Sequence, residues 1–146
     1  MEITLTAEPP GSPVILGLCA AQQAELAGRY AEEHTPLAVH PGIRFVVAWA
    51  GRDPAGCAGL QLLEPGVGEL KRMYVVPGHR GRGLSRLLLA EVERLAREDG
   101  LREIRLETGD RQPEAIALYT SSGYREIPRF GPYEDWPLSH CFAKAL

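Results

Sequence analysis

The chain has 146 residues, 45% of them hydrophobic and 24% charged, with a formal net charge of -3 at pH 7. That length suits one compact domain, expected to span residues 1–146, with a single core. The acidic balance argues against a general nucleic-acid or anionic-membrane partner, either of which needs a net basic face, and no run of 18 apolar residues offers a membrane span.

In chain order, Ile3 to Thr6 alternates like a short strand, and Ser12 with Pro13 reads as the cap and first turn of a helix running to about Glu32. IRFVVAWA at 43–50 is a β-branched and aromatic run that ends at the turn GRDPAG, and CAGLQLLE at 57–64 reads as its hairpin partner. EPGVG makes the next turn, and ELKRMYVV at 69–76 is the third strand of this meander. After Gly83 the period changes: Leu84, Leu87, Leu88, Val92, Leu95 and Ala96 form one helical stripe, with Glu93, Arg94, Arg97 and Glu98 largely off it, until Gly100 stops the helix. LREIRLET at 101–108 is a strand, so strand, helix and strand form a crossover with a locally parallel pair. A second helix begins at Gln112 and Pro113 and ends at Gly123, and short strands near 124–128 and 138–144 close the chain. The expected fold class is α/β with a mixed sheet flanked by helices.

Cys19, Cys57 and Cys141 are widely spaced and sit in or beside apolar stretches. They read as buried reduced thiols rather than a disulfide framework. Reduced thiols make the cytoplasm the expected compartment, and the start, MEITLTAEPP, has no basic region followed by an apolar one, so no export signal is read there. The histidines, His34, His40, His79 and His140, have no metal-ligand spacing, and no metal is expected. Ser139 beside His140 lacks the G-x-S-x-G context of a nucleophile.

Charge is unevenly distributed. From Leu70 to Ala90 stand Lys71, Arg72, Arg80, Arg82 and Arg86 with no acid between them, where a strand turns into a helix. Charge runs are usually solvated faces. Here, however, the first turn of a helix leaves backbone N–H groups unpaired and carries the positive end of the macrodipole, a ready phosphate site. Gly81 and Gly83 let a backbone approach an anion, and arginines add charge-assisted hydrogen bonds. No mononucleotide P-loop, G-x-x-x-x-G-K-[ST], is present, and Gly81-Arg82-Gly83-Leu84-Ser85-Arg86 fails the dinucleotide pattern at its last position.

MYVVPGHRGRGLSRLLL, residues 73–89, resembles the acyl-coenzyme A motif of the GNAT superfamily of N-acetyltransferases, [QR]-x-x-G-x-[GA] after a strand ending in V-x-P. Here Arg80 to Ser85 fill it, with Ser85 in place of Gly or Ala. The superfamily's second signature, an Asn followed by A-x-x-L-Y-x-x-x-G-[FY], is matched by Gln112, in place of Asn, and by Ala115 through Tyr124. The two together cover about residues 43–128, and LETGDRQPEAIALY at 106–119 is most similar to the ribosomal-protein alanine acetyltransferase branch.

The resemblance implies a single-domain GNAT fold, its mostly antiparallel sheet splayed at the central parallel pair, with acetyl-CoA as cosubstrate. It implies contacts to the coenzyme from Met73, Val75, Arg80, Gly81, Arg82, Gly83, Leu84, Ser85 and Gln112. The implied reaction is direct acetyl transfer to a primary amine of a small molecule or peptide. Tyr119 stands at the general-acid position; Glu107 and Glu69 are the two candidate bases, and a backbone N–H near Met73 to Val75 would stabilise the oxyanion. From the helix alone, Tyr119 reads equally well as a core aromatic. Phe130, Tyr133 and Trp136 are candidates for the acceptor wall, and Arg44 or Arg72 for a grip on an acceptor carboxylate, although an ordinary surface charge is the plainer reading of either. A homodimer is compatible with the superfamily. The rival functions are a non-catalytic acyl-CoA sensor on the same fold and a phosphate or nucleotide binder of another class.

Overall fold

The computed structural model describes residues 2–29 and 39–146; the end of the first expected helix and His34 lie outside them. β1 (Ile3–Glu8), α1 (Pro13–Arg29), β2 (Arg44–Ala50), β3 (Asp53–Glu64), β4 (Val67–Val75), α2 (Leu84–Glu98), β5 (Glu103–Gly109), α3 (Pro113–Ser121), β6 (Arg125–Ile127) and β7 (Ser139–Ala145) follow in order. They form one seven-stranded sheet in the order β1-β2-β3-β4-β5-β7-β6. Every pairing is antiparallel except β4 with β5. This is the expected mixed sheet with its single parallel pair.

Beyond the exposed Arg44, the run at 45–50 is apolar because β2 is covered on both faces. Phe45 and Val47 pack with Ile15, Leu18 and Cys19 of α1, while Val46 and Ala48 pack with Leu88, Leu89 and Val92 of α2. Such burial contributes about 1.5–3 kcal/mol for each large side chain. Cys19, Cys57 and Cys141 are free and buried, as expected. Among the described residues no helix is long and apolar enough to cross a membrane.

Two expectations need correction. β3 starts at Asp53, four residues before the expected strand, leaving Gly51 and Arg52 as the turn. Pro54 is tolerated because the β2–β3 register shifts between Ala48 and Trp49, and Pro54 sits opposite Trp49 at that break. On α2, Leu87 is 45% exposed, whereas Glu93, expected off the apolar stripe, is buried at 7%. Glu93 accepts hydrogen bonds from the Tyr124 hydroxyl at 2.9 Å and from Lys144 Nζ at 3.1 Å, and these partners make its burial tolerable. α2 ends as expected: Gly100 has φ +76°, Gly100 N–H bonds Arg97 O and Leu101 N–H bonds Ala96 O, a Schellman closure.

Candidate active site

β4 and β5 share only the pairs Val67–Glu103, Gly68–Ile104 and Glu69–Arg105. Beyond them β4 stays with β3 and β5 pairs with β7, so the two strands part and leave a cleft of about 420 Å³. β4 bulges on the cleft wall. The β3–β4 register shifts between Cys57 and Gly59, and Arg72 adopts φ +58°, a left-handed conformation rare outside glycine. The bulge is held from both sides, since Cys57 Sγ donates to Arg72 O at 3.3 Å and Gln22 Nε2 donates to Met73 O at 2.9 Å. The other end of that amide, Gln22 Oε1, is buried without a donor among the described residues.

One end of the cleft carries the glycine–arginine segment. A short 3-10 turn, Pro77–His79, leads from β4 to Gly81 and Gly83, both at left-handed φ near +80°. A Cβ at either would meet nothing within 4 Å, so the space above this backbone is open. The first turn of α2 holds no acid, and its first intrahelical bond runs from Leu87 N–H to Gly83 O. The N–H groups of Leu84, Ser85 and Arg86 therefore precede the helical ladder.

The arginines take separate roles. Arg80 turns back, donating from Nε to Val75 O at 2.9 Å and from Nη2 to Glu25 Oε1 at 2.7 Å. Arg86 donates to the Ser121 and Ser122 hydroxyls, which ties α2 to the end of α3. Arg82 is exposed and does not line the cleft, whereas Met73, Val75, Arg80, Gly81, Gly83, Leu84, Ser85 and Gln112 do.

The ionisable groups gather deeper, where the strands part. Glu69 is 5% exposed; its Oε2 accepts from the Tyr133 hydroxyl at 2.6 Å and lies 3.2 Å from Lys71 Nζ, which also donates to that hydroxyl at 3.0 Å. Burial, reinforced by the bond to Glu69, holds the Tyr133 phenol well above its usual range. The Glu107 carboxylate has one hydrogen bond among the described residues, accepted from Ser139 Oγ at 2.6 Å. Burial raises its carboxyl above the usual value, the Ser139 bond opposes this, and the charge of Glu69 adds to it. Tyr119 lines the cleft with its ring buried; burial, and then the charge of Glu107, push its phenol up. Its hydroxyl has no hydrogen-bond partner among the described residues.

All three expected acid–base residues thus share one cleft. Tyr133 and Trp136 also line it, while Phe130 packs edge-to-face on Tyr133 at a centroid distance of 5.3 Å. Arg72 lines the cleft, but Arg44 pairs with Asp99 on the surface and is no part of it. His140 pairs with Glu126, and among the described residues no cluster could hold a metal. Sequence reasoning missed Gln22 and Glu25, counted Lys71 only within the basic cluster, and weighed Ser139 only as a nucleophile. Only the polar spacing of Gln22, Glu25 and Arg29 on one helical face hinted at the first two.

The acetyltransferase (GNAT) family profile matches residues 16–124. The chain is 36% identical, over 99% of its own length and 98% of the relative's, to a protein named IAA acetyltransferase from Azospirillum brasilense. It superimposes with a TM-score of 0.86 and 35% identity on a candidate acyl-CoA N-acyltransferase from Klebsiella pneumoniae subsp. pneumoniae MGH 78578, covering 99% of this chain and 97% of that one. A GNAT acetyltransferase from Elizabethkingia anophelis, solved with acetyl-CoA bound, shares the fold at a TM-score of 0.75 and 18% identity, over 99% of this chain and 98% of that one.

Proposed function

Since the chain belongs to the acetyltransferase (GNAT) family, we propose that it transfers the acetyl group of acetyl-CoA directly to a primary amine of a small molecule or peptide. The observation that carries this reading is the joining, in one cleft, of an open glycine cradle at a helix N-terminus with Glu107 and Tyr119. The N–H groups of Leu84, Ser85 and Arg86 suit a pyrophosphate, which the helix dipole also favours. Gln112, the residue just before α3, faces the same cleft from the β5 side, and the gap between the strands suits the narrow pantetheine arm. The acetyl-CoA bound by the Elizabethkingia protein supports this assignment of cosubstrate.

An alkylamine has a reference pKa of about 10.4 and must lose a proton before it attacks. Glu107 takes that proton, directly or through water. Glu69 suits this task less, because Lys71 and Tyr133 already hold its carboxylate. Attack on the thioester carbonyl gives a tetrahedral oxyanion, and a backbone N–H in the bulged stretch from Met73 to Val75 stabilises it. Its collapse breaks the carbon–sulfur bond. Tyr119, whose phenol burial holds in its protonated form above the usual range, protonates the departing coenzyme A thiolate. Tyr133 and Trp136 wall the acceptor side of the cleft.

The test is amine-dependent release of free thiol from acetyl-CoA across a panel of small amines and peptide N-termini, with the acetylated product identified by mass. Release with at least one amine supports the reading. Coenzyme binding with no transfer to any amine would favour the acyl-CoA sensor instead.

A further inference from the structure

α1 changes character along its length. Its first half buries Ile15, Leu18 and Cys19 against the sheet. In its second half Gln22, Glu25 and Arg29 lie on one helical face, and their side chains reach both walls of the cleft. Gln22 holds the bulge at Met73 O, and Glu25 holds Arg80 at 2.7 Å. Arg29 donates to Glu114 Oε1 at 2.5 Å, while Arg111 Nη1 donates back to Arg29 O at 2.8 Å. The first two contacts fix α1 to the β4 side and the others fix it to the start of α3 on the β5 side.

Glu25 is the unexpected member of this stripe. It places a carboxylate at the rim of a cleft whose neighbouring glycine–arginine segment suits an anion, and it occupies the arginine best placed to meet that anion. We propose that Glu25 is a positioning residue for the coenzyme: it holds Arg80 at the rim of the cradle, yields it to the coenzyme pyrophosphate on binding, and takes it back as coenzyme A leaves. This rests on the reading of the cradle given under the proposed function.

Two features of the geometry make the exchange feasible. Nε of Arg80 is fixed to Val75 O, so only the Nη end of the guanidinium changes partner. The ion pair is also solvent-accessible, at 39% exposure for Arg80 and 29% for Glu25, and such pairs are weak enough to be traded for a doubly charged ligand. A purely structural Glu25, one that only ties α1 down, predicts the opposite sign: its loss would loosen the wall and weaken coenzyme binding.

The experiment is titration calorimetry of coenzyme A binding, with steady-state kinetics, for the wild type, Glu25→Gln, Glu25→Asp and Glu25→Gln in an Arg80→Ala background. The expected result is that Glu25→Gln lowers Kd for coenzyme A about two- to fivefold and lowers KM for acetyl-CoA in step, with no gain in kcat. Glu25→Asp, which keeps the charge, does not tighten binding, and the effect of Glu25→Gln vanishes without Arg80. Unchanged or weaker binding by Glu25→Gln, or tightening that persists without Arg80, overturns the role of Glu25 while leaving the cradle intact. A wild-type protein that does not bind coenzyme A overturns the functional reading itself, and this proposal with it.

Discussion

Glu69 and Glu107 stand on the two strands that part, and among the described residues only Glu69 of the two has a cation in contact, Lys71 Nζ at 3.2 Å. Glu107 has the Ser139 hydroxyl instead, and burial raises its pKa. A base acts in its ionised form, so turnover should rise as pH climbs through the pKa of Glu107 and then level off. Glu107→Gln should lower kcat about 100-fold and abolish that ascending limb, whereas Glu69→Gln should keep it. A pH–rate profile of both variants decides the matter, and loss of the limb in Glu69→Gln alone would reverse the assignment. The raised pKa also means that stability is lost as pH climbs from the ordinary carboxylate value to the folded value of Glu107 and is constant above it, so Glu107→Gln should gain stability relative to the wild type across that acidic window and keep the gain at higher pH.

Tyr119 has a buried ring and a hydroxyl with no protein partner among the described residues. Tyr119→Phe removes no hydrogen bond seen there and should leave Tm within about 2 °C, since the packing is kept. It should nevertheless lower kcat by about 100-fold or more, with little change in coenzyme affinity. Full activity in this variant would take Tyr119 out of the mechanism.

Gly83 caps α2 at φ +77°, with open space above it. Gly83→Asp should cost about 1–2 kcal/mol in stability, for an L-residue held left-handed. It should weaken coenzyme A binding far more than that strain would suggest, because the new carboxylate stands where the pyrophosphate is proposed to lie. Calorimetric affinity beside a melting curve separates the two effects, and unchanged affinity would argue against the cradle.

Away from the cleft, Glu93 is buried on α2 between the Tyr124 hydroxyl and the Lys144 ammonium. Glu93→Leu keeps a side chain of similar length but leaves the buried Tyr124 hydroxyl without its acceptor. It should destabilise by about 1–3 kcal/mol, read as a fall in Tm of about 2–4 °C for each kcal/mol, with catalysis unaffected below the transition.

The order and type of the elements were legible because α2 and β5 announce themselves by a change of hydrophobic period, and the cradle was legible because Gly81 and Gly83 precede that helix directly. What could not be read were pairings between distant segments. Glu25 meets Arg80 across 55 residues, and Tyr133 meets Glu69 across 64; no local pattern encodes either. Glu93 was misplaced for the same reason, since a helical stripe alone cannot show that Tyr124 and Lys144 arrive to satisfy a carboxylate on its buried side. Pro54 hid the start of β3, because the break in register that accommodates it belongs to the partner strand. The resemblance of 106–119 to the alanine acetyltransferase branch gave Glu107 its candidacy, but the placement of Lys71 beside Glu69 is what separates the two glutamates.

The central claim is that the cleft between β4 and β5 holds acetyl-CoA, and thermal unfolding of the wild-type protein with acetyl-CoA, coenzyme A, ATP and NAD tests it most directly. A ligand at 100 times its dissociation constant stabilises by about 2.7 kcal/mol, which here corresponds to a rise in Tm of about 5–10 °C. A rise of that size with both coenzyme A species, and none with ATP or NAD, is the predicted result. No rise, or a rise with ATP or NAD alone, would contradict the account.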